Sequence, residues 1–374
     1  MTTPSKTAAD AFRVNKGVCY ALYAYDVGPV IDMEKAGSLV AAGLPDSQIR
    51  HNRRVPKYFD YRPAPMLITQ DVLPPVVGGF EVAKGVDLLL YDFGAVSVSY
   101  RIPFAGNLQT LREISCALSE NSALLEDSRR RIEDLLRVVG GAVVKPRVAD
   151  LTEDYAVFQV EDYEAPVGPD RIHEVFGSEL AQVLRAERDA LSSQEVSDAL
   201  ACRLSFNPDD VTLIDWNAAI VLDRDADDVR AVLDFANCEL LEMRYLDRQL
   251  DDSLDHSYEA ITHDSFLRSL VPGRSGTGLR KVSQMQVDGA IMFERVTNAP
   301  KLLGDQYLAR LYRLASQRFH LAEWNATTLR KLDAIETIYK QMQDRAASRR
   351  LEVLEWIIIV LIAGEMLINL LPRR

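Results

Sequence analysis

Asp87-Leu-Leu-Leu-Tyr-Asp92-Phe-Gly-Ala-Val96 and Asp210-Val-Thr-Leu-Ile-Asp215-Trp-Asn-Ala-Ala219 are the two stretches that decide how this chain is read. Laid over one another, they repeat acid, aromatic, turn residue and alanine in step. In each, an apolar run meets Asp plus an aromatic and a Gly or Asn, and a second apolar alternation follows. That is the pattern of a β-hairpin with turn residues at its tip.

Working outward, a helical pattern follows each hairpin at a similar distance, from Asn107 to Glu120 in the first copy and from Asp227 onward in the second. Upstream, Val18 to Tyr25 and Tyr155 to Tyr163 read as matching entry strands, each followed by a Gly-Pro turn, Gly28-Pro29 and Gly168-Pro169. The fold class expected is therefore α+β: two related modules of sheet and helices, residues 16 to 148 and 149 to 260, behind a polar arm of residues 1 to 15. A chance resemblance between two ordinary hairpins is the alternative.

The 374 residues exceed one average domain, and a chain that is 48% hydrophobic and 26% charged builds a packed core rather than a disordered coil. A formal charge of -12 argues against a surface whose main task is to neutralise a polyanion. Cys19, Cys116, Cys202 and Cys238 lie far apart and form no CxxC pair, so buried free thiols are expected, not a zinc ribbon or a dithiol site. Residues 1 to 15 lack an apolar h-region and do not read as a secretory signal.

From Asp227 the apolar residues recur at helical spacing through Leu254; Pro272 to Gly278, within a hinge at 261 to 278, then interrupts the pattern. Residues 279 to 350 read as a helical hairpin or coiled coil. Its heptad seam runs through Leu311, Leu314, Leu321, Leu332, Ile335, Tyr339 and Met342, with Arg318, Asn325 and Thr328 as polar seam positions that set register. Self-association and packing within one chain both satisfy this pattern.

Residues 351 to 374 close the chain with a hydrophobic run carrying Trp356, Ile357, Ile358, Ile359, Val360, Leu361, Ile362 and Glu365. About a dozen Ile, Leu and Val residues favour insertion by roughly -4 to -7 kcal/mol, against roughly +3 kcal/mol for a central carboxylate. A C-terminal transmembrane helix acting as a single-pass tail anchor, with the body in the cytoplasm, is the expected topology. Glu365 and Asn369, one turn apart, would mark the face that meets a partner.

The run Arg350-Leu-Glu-Val-Leu-Glu-Trp-Ile-Ile-Ile-Val-Leu-Ile-Ala-Gly-Glu365, preceded by the coiled-coil helix, resembles the ending of the RMD (required for meiotic nuclear division) family. That is a domain family of unknown biochemical activity found in bacteria, fungi and mitochondria. The hairpin Leu88 to Val98 is similar to the family's strand, turn and strand. The resemblance implies a membrane-associated, oligomeric protein whose mitochondrial relatives support organellar translation, and it brings no catalytic residues.

Candidate chemistry is sparse. Asp223-Arg-Asp225-Ala-Asp227-Asp228 has the alternate acids of a calcium loop without its glycine, and reads as helix capping. Asp251, Asp252, Asp255, His256, His263 and Asp264 gather at a helix end without diagnostic metal spacing. Pro272 to Lys281 is glycine-rich but lacks the Gly-Lys-Ser/Thr of a P-loop. Arg53, Arg54, Lys57 and Tyr58 interleave cations with a ring, as a single-strand nucleic-acid patch would. No nucleophile elbow, HExxH or dinucleotide fingerprint is present, so no cofactor, metal or catalytic set is expected. The function expected is a tail-anchored, oligomerising scaffold or adaptor, its partners the membrane, other copies of itself and an unidentified protein. An RNA- or ribosome-associated factor and a metal- or phosphate-dependent enzyme are the alternatives.

Overall fold

The computed structural model describes residues 11–43, 47–50, 63–262, 287 and 305–370. The chain divides into two compact units, Met1–Tyr245 with Met292–Asn325, and Leu246–Ile291 with Ala326–Arg374.

The first unit is built on one nine-stranded sheet. Its strands are β1 (Arg13–Asp26), β2 (Ser47–Arg50), β3 (Met66–Gln70), β4 (Val86–Leu90), β5 (Ala95–Asn107), β6 (Thr152–Glu164), β7 (Cys202–Leu204), β8 (Val211–Ile214) and β9 (Ala218–Leu222). Their order is β2-β3-β4-β5-β1-β6-β9-β8-β7, so β1 is the middle strand and pairs antiparallel with both β5 and β6. Both quoted stretches are hairpins, β4–β5 and β8–β9. They flank the central pair at equal places in the order but with different sense: β5 runs antiparallel to β1, whereas β9 runs parallel to β6. The α+β class stands, with all described strands in a single sheet.

Alternation along β1 divides the core in two, because successive side chains point to opposite faces of a strand. Cys19, Ala21, Tyr23 and Tyr25 join Val96, Val98 and Tyr100 on one face. That face is covered by α1 (Met33–Gly43), α2 (Leu108–Ser119), α3 (Ser122–Val139), the single turn α4 (Ile172–Val175) and α5 (Gly177–Arg185); α6 (Ser193–Ala199) follows α5 in the chain. Asn107 and Asn121 start α2 and α3 by accepting from the Thr110 and Leu124 amides at 3.2 and 2.8 Å. Leu22, Tyr155, Val157, Ala219 and Val221 form the other face, under α7 (Asp227–Thr262) and α8 (Gln306–Arg318). The first hairpin tip needs its glycine. Gly94 has φ +103°, and a Cβ there would sit 1.6 Å from the Gly28 carbonyl oxygen.

α7 is buried all round from Val232 to Met243, lying between the sheet and α8. Four of those residues are polar: Asp234, Asn237, Glu239 and Glu242.

The long C-terminal helix is interrupted. α8 ends at Arg318, His320 adopts a left-handed φ of 54°, and α9 (Leu321–Leu370) begins. The seam residues are thus shared between helices, Leu311 and Leu314 on α8, and Leu321, Leu332, Ile335, Tyr339 and Met342 on α9.

In the second unit, α9 packs on the end of α7. Lys331 Nζ lies 2.6 Å from Asp247 Oδ1 and 2.7 Å from Asp251 Oδ1, with Leu250 and Ile335 buried beside them.

The expected transmembrane helix is corrected: no helix among the described residues is long and apolar enough to cross a membrane. Glu355 and Glu365 bound an uncharged run, Trp356 to Gly364, of nine residues. At ~1.5 Å per residue that run spans ~14 Å, about half of a hydrocarbon core of ~30 Å. The single-pass membrane localisation, with its tail anchor and cytoplasmic body, falls with the span.

Candidate interaction surface on the C-terminal helix

From Lys340 to Met366 every described side chain on α9 is exposed. Within that stretch lie Leu351, Leu354, Met366 and the whole run from Trp356 to Ile362; Trp356 is 66% and Ile359 54% exposed. Scattered exposed leucines are ordinary on a protein surface, but a continuous apolar run is not. A helix apolar on all sides is stable when buried, and this one has no cover within its own unit among the described residues. What the segment offers chemically is mainly apolar contact area, with the Trp356 indole N–H as its polar handle. Trp356 to Ile362 and Glu365, expected as a membrane anchor, instead lie on one exposed helix end.

Three polar constellations occur in the first unit, and sequence reading located only pieces of them. Asp215, at the tip of the second hairpin, accepts from Arg318 Nε at 2.6 Å, Arg185 Nε at 3.0 Å and the Trp216 amide at 2.8 Å. Both arginines also reach Asp198, whose carboxyl is held down at about 2, first by the Arg318 hydrogen bond. Arg318 thus ties α8 to the sheet. It is a fold contact in place of the register-setting seam position that its spacing suggested.

A second constellation lines α7. Asp234 accepts from Ser97 at 2.6 Å, and burial lifts its carboxyl to about 6. Glu239 accepts from the Tyr312 hydroxyl, and burial lifts it to about 8. Among the described residues Glu242 has no hydrogen-bond partner on either oxygen, and it sits near Asp26 and Arg147. Helical periodicity marked the apolar residues of α7 but carried no sign that acids between them would be enclosed.

The third is an open cleft of about 650 Å³ at the ends of β6, β8 and β9, lined by Glu161, Asp162, Asp209, Asp210 and Asp223 with Arg224 as its cation. Its charge suits basic groups. Asp210 is engaged in accepting from the Phe206 and Asn207 amides.

Among the described residues no group of three or more His, Cys, Asp or Glu side chains is placed to hold a metal ion. Asp227 of the calcium-like run pairs with Arg230, and Asp234, beyond that run, is buried on Ser97. All four cysteines are free and buried. Arg53, Arg54, Lys57 and Tyr58, the Pro272 to Lys281 loop, and His263 with Asp264 lie outside the described residues.

Residues 16–228 match the family described as "Uncharacterized protein MJ0711, N-terminal domain", which covers the sheet and ends in the first turn of α7. A 224-residue stretch is 22% identical to "Uncharacterized protein MJ0711" of Methanocaldococcus jannaschii, covering 58% of this chain and 66%, just under two thirds, of that protein. No solved structure matches the chain. These findings overturn the resemblance to the RMD family. That resemblance rested chiefly on the apolar ending after Arg350, where low-complexity Ile and Leu content carries little family information, whereas the match that holds lies in the sheet. The chain belongs to the MJ0711 N-terminal domain family.

Proposed function

We propose that this protein is a self-associating scaffold or adaptor, in which the apolar end of α9 pairs with the same segment of a second copy. The exposed run from Trp356 to Ile362 supports this reading above all. Two identical apolar helix ends are mutually complementary, and a two-fold pairing buries the same residues on both chains. Each Å² of apolar surface so removed from water is worth about 25 cal/mol, and a specific interface needs roughly 1,000 Å² in total. α9 is long enough to supply it, since its 50 residues extend ~75 Å. The acidic cleft and the sheet unit are left free to engage a protein partner.

The test is the molar mass of the intact chain by light scattering, beside the variant Ile358→Lys/Leu361→Lys. Pairing gives a multiple of the 41.9 kDa chain mass that falls to one chain in the variant. An intact chain that is monomeric at tens of micromolar, or a variant of unchanged mass, rejects the reading.

A further inference from the structure

Asp26, at the end of β1, and Glu242, on α7, are both buried among the groups beneath the helix, Asp26 0% and Glu242 1% exposed. Asp26 Oδ1 accepts from Arg147 Nη2 at 3.1 Å. Asp26 Oδ2, both oxygens of Glu242 and Arg147 Nε have no hydrogen-bond partner among the described residues. Polar atoms buried in this way are rare in native proteins, and each calls for an explanation.

Charge supplies one. With both carboxyls ionised, two negative charges face the single positive charge of Arg147, and the site carries a net negative charge out of reach of water. One proton on the carboxyl pair makes it neutral and gives an unpartnered oxygen a donor. Two carboxyls in one dry site do not both ionise at neutral pH.

Among the described residues the cation that acts on Glu242 is Arg147. From α7 come the thiol of Cys238, itself pushed up by burial, and the ring of Tyr245, 5.0 Å beneath the Arg147 guanidinium. The tip of the first hairpin contributes Tyr91 and Phe93 to the apolar cluster that holds Cys238 and Leu241. The nearby cation Arg244 is engaged by Glu153 on β6. The Gly28 amide and Arg147 favour charge on Asp26, but burial outweighs them. Arg147, half-buried, connects the pair to solvent.

We propose that Asp26 and Glu242 share one proton at neutral pH, forming a proton-dependent latch that holds α7 against the sheet and loosens when the proton leaves at higher pH. This inference stands apart from self-association, since it concerns the interior of the sheet unit alone.

Infrared spectroscopy of the intact protein at pH 7 tests it, through the carbonyl band of protonated carboxyl groups. Glu242→Gln is expected to lose one protonated-carboxyl equivalent relative to wild type. Asp26→Asn is expected to lose the same equivalent, because Glu242 left alone with Arg147 ionises. A band unchanged in Glu242→Gln overturns the proposal. A band lost in Glu242→Gln but kept in Asp26→Asn also overturns it, since Glu242 then holds its proton without sharing. Denaturation midpoints followed from pH 5 to 9 give a second readout: Glu242→Gln flattens the fall by one linked proton, and an unchanged slope counts against the latch.

Discussion

At the residue scale, the buried acids decide the behaviour with pH. Glu239 is raised from its ordinary 4.5 to about 8 by burial, so between those values the folded chain binds a proton that the unfolded chain has released. Its contribution to stability is therefore intact at low pH, falls as pH rises from about 4.5 to about 8, and levels off beyond. Asp234 acts in the same sense over a narrower window, up to about 6. Glu239→Gln keeps an acceptor for Tyr312 and cannot ionise. Its stability relative to wild type should therefore improve between pH 5 and pH 8.5, by an amount on the order of a few kcal/mol, read from denaturation midpoints. A relative stability independent of pH would refute this. Asp215 is a buried acid held between two arginines. Asp215→Asn leaves Arg185 and Arg318 facing a neutral amide and should cost about 3 kcal/mol in chemical denaturation.

At the element scale, the hairpins were the most legible part of the sequence. Tyr91-Asp-Phe-Gly94 and Asp215-Trp-Asn217 announce tight turns, and Gly94 is required where the Gly28 carbonyl passes. Their direction in the sheet was not legible, because period-two alternation is the same whether a strand pairs parallel or antiparallel. The helix break at His320 was hidden for a related reason: α8 and α9 keep apolar residues in step across it, and a left-handed histidine leaves no glycine to read. The apolar run after Leu351 was legible as apolar, but its length was misjudged: weighing one carboxylate against the summed apolar residues passed over the fact that Glu355 and Glu365 leave an uncharged stretch of nine residues. Two polar seam positions, Asn325 and Thr328, carry a buried oxygen with no hydrogen-bond partner among the described residues. Thr328 is wholly buried, and its Oγ1 has no partner among the described residues. Thr328→Val keeps the shape and removes the unsatisfied hydroxyl, so it should stabilise the α7–α9 packing by about 1 kcal/mol, measured as a rise in denaturation midpoint. A loss of stability would show that the hydroxyl is bonded.

At the scale of the whole molecule, the family match and the exposed apolar surface lie in different parts of the chain. The sheet of residues 16–228 is what the chain shares with its family, and the segment from Leu351 to Met366 lies outside that match. Composition foresaw these two features in part: a charge of -12 suits the acidic cleft, and apolar residues gather at the end of α9. The enclosed acids of α7 stayed hidden, because burial of a carboxylate depends on which helix covers it, and α8 arrives from more than sixty residues further along the chain. The central claim, that α9 ends in a surface made for another copy, is tested most directly by hydrogen–deuterium exchange over Leu354 to Met366 across a dilution series. Pairing predicts slow exchange in the concentrated protein and fast exchange on dilution, while the sheet stays protected throughout. Fast exchange in this segment at every concentration would contradict it.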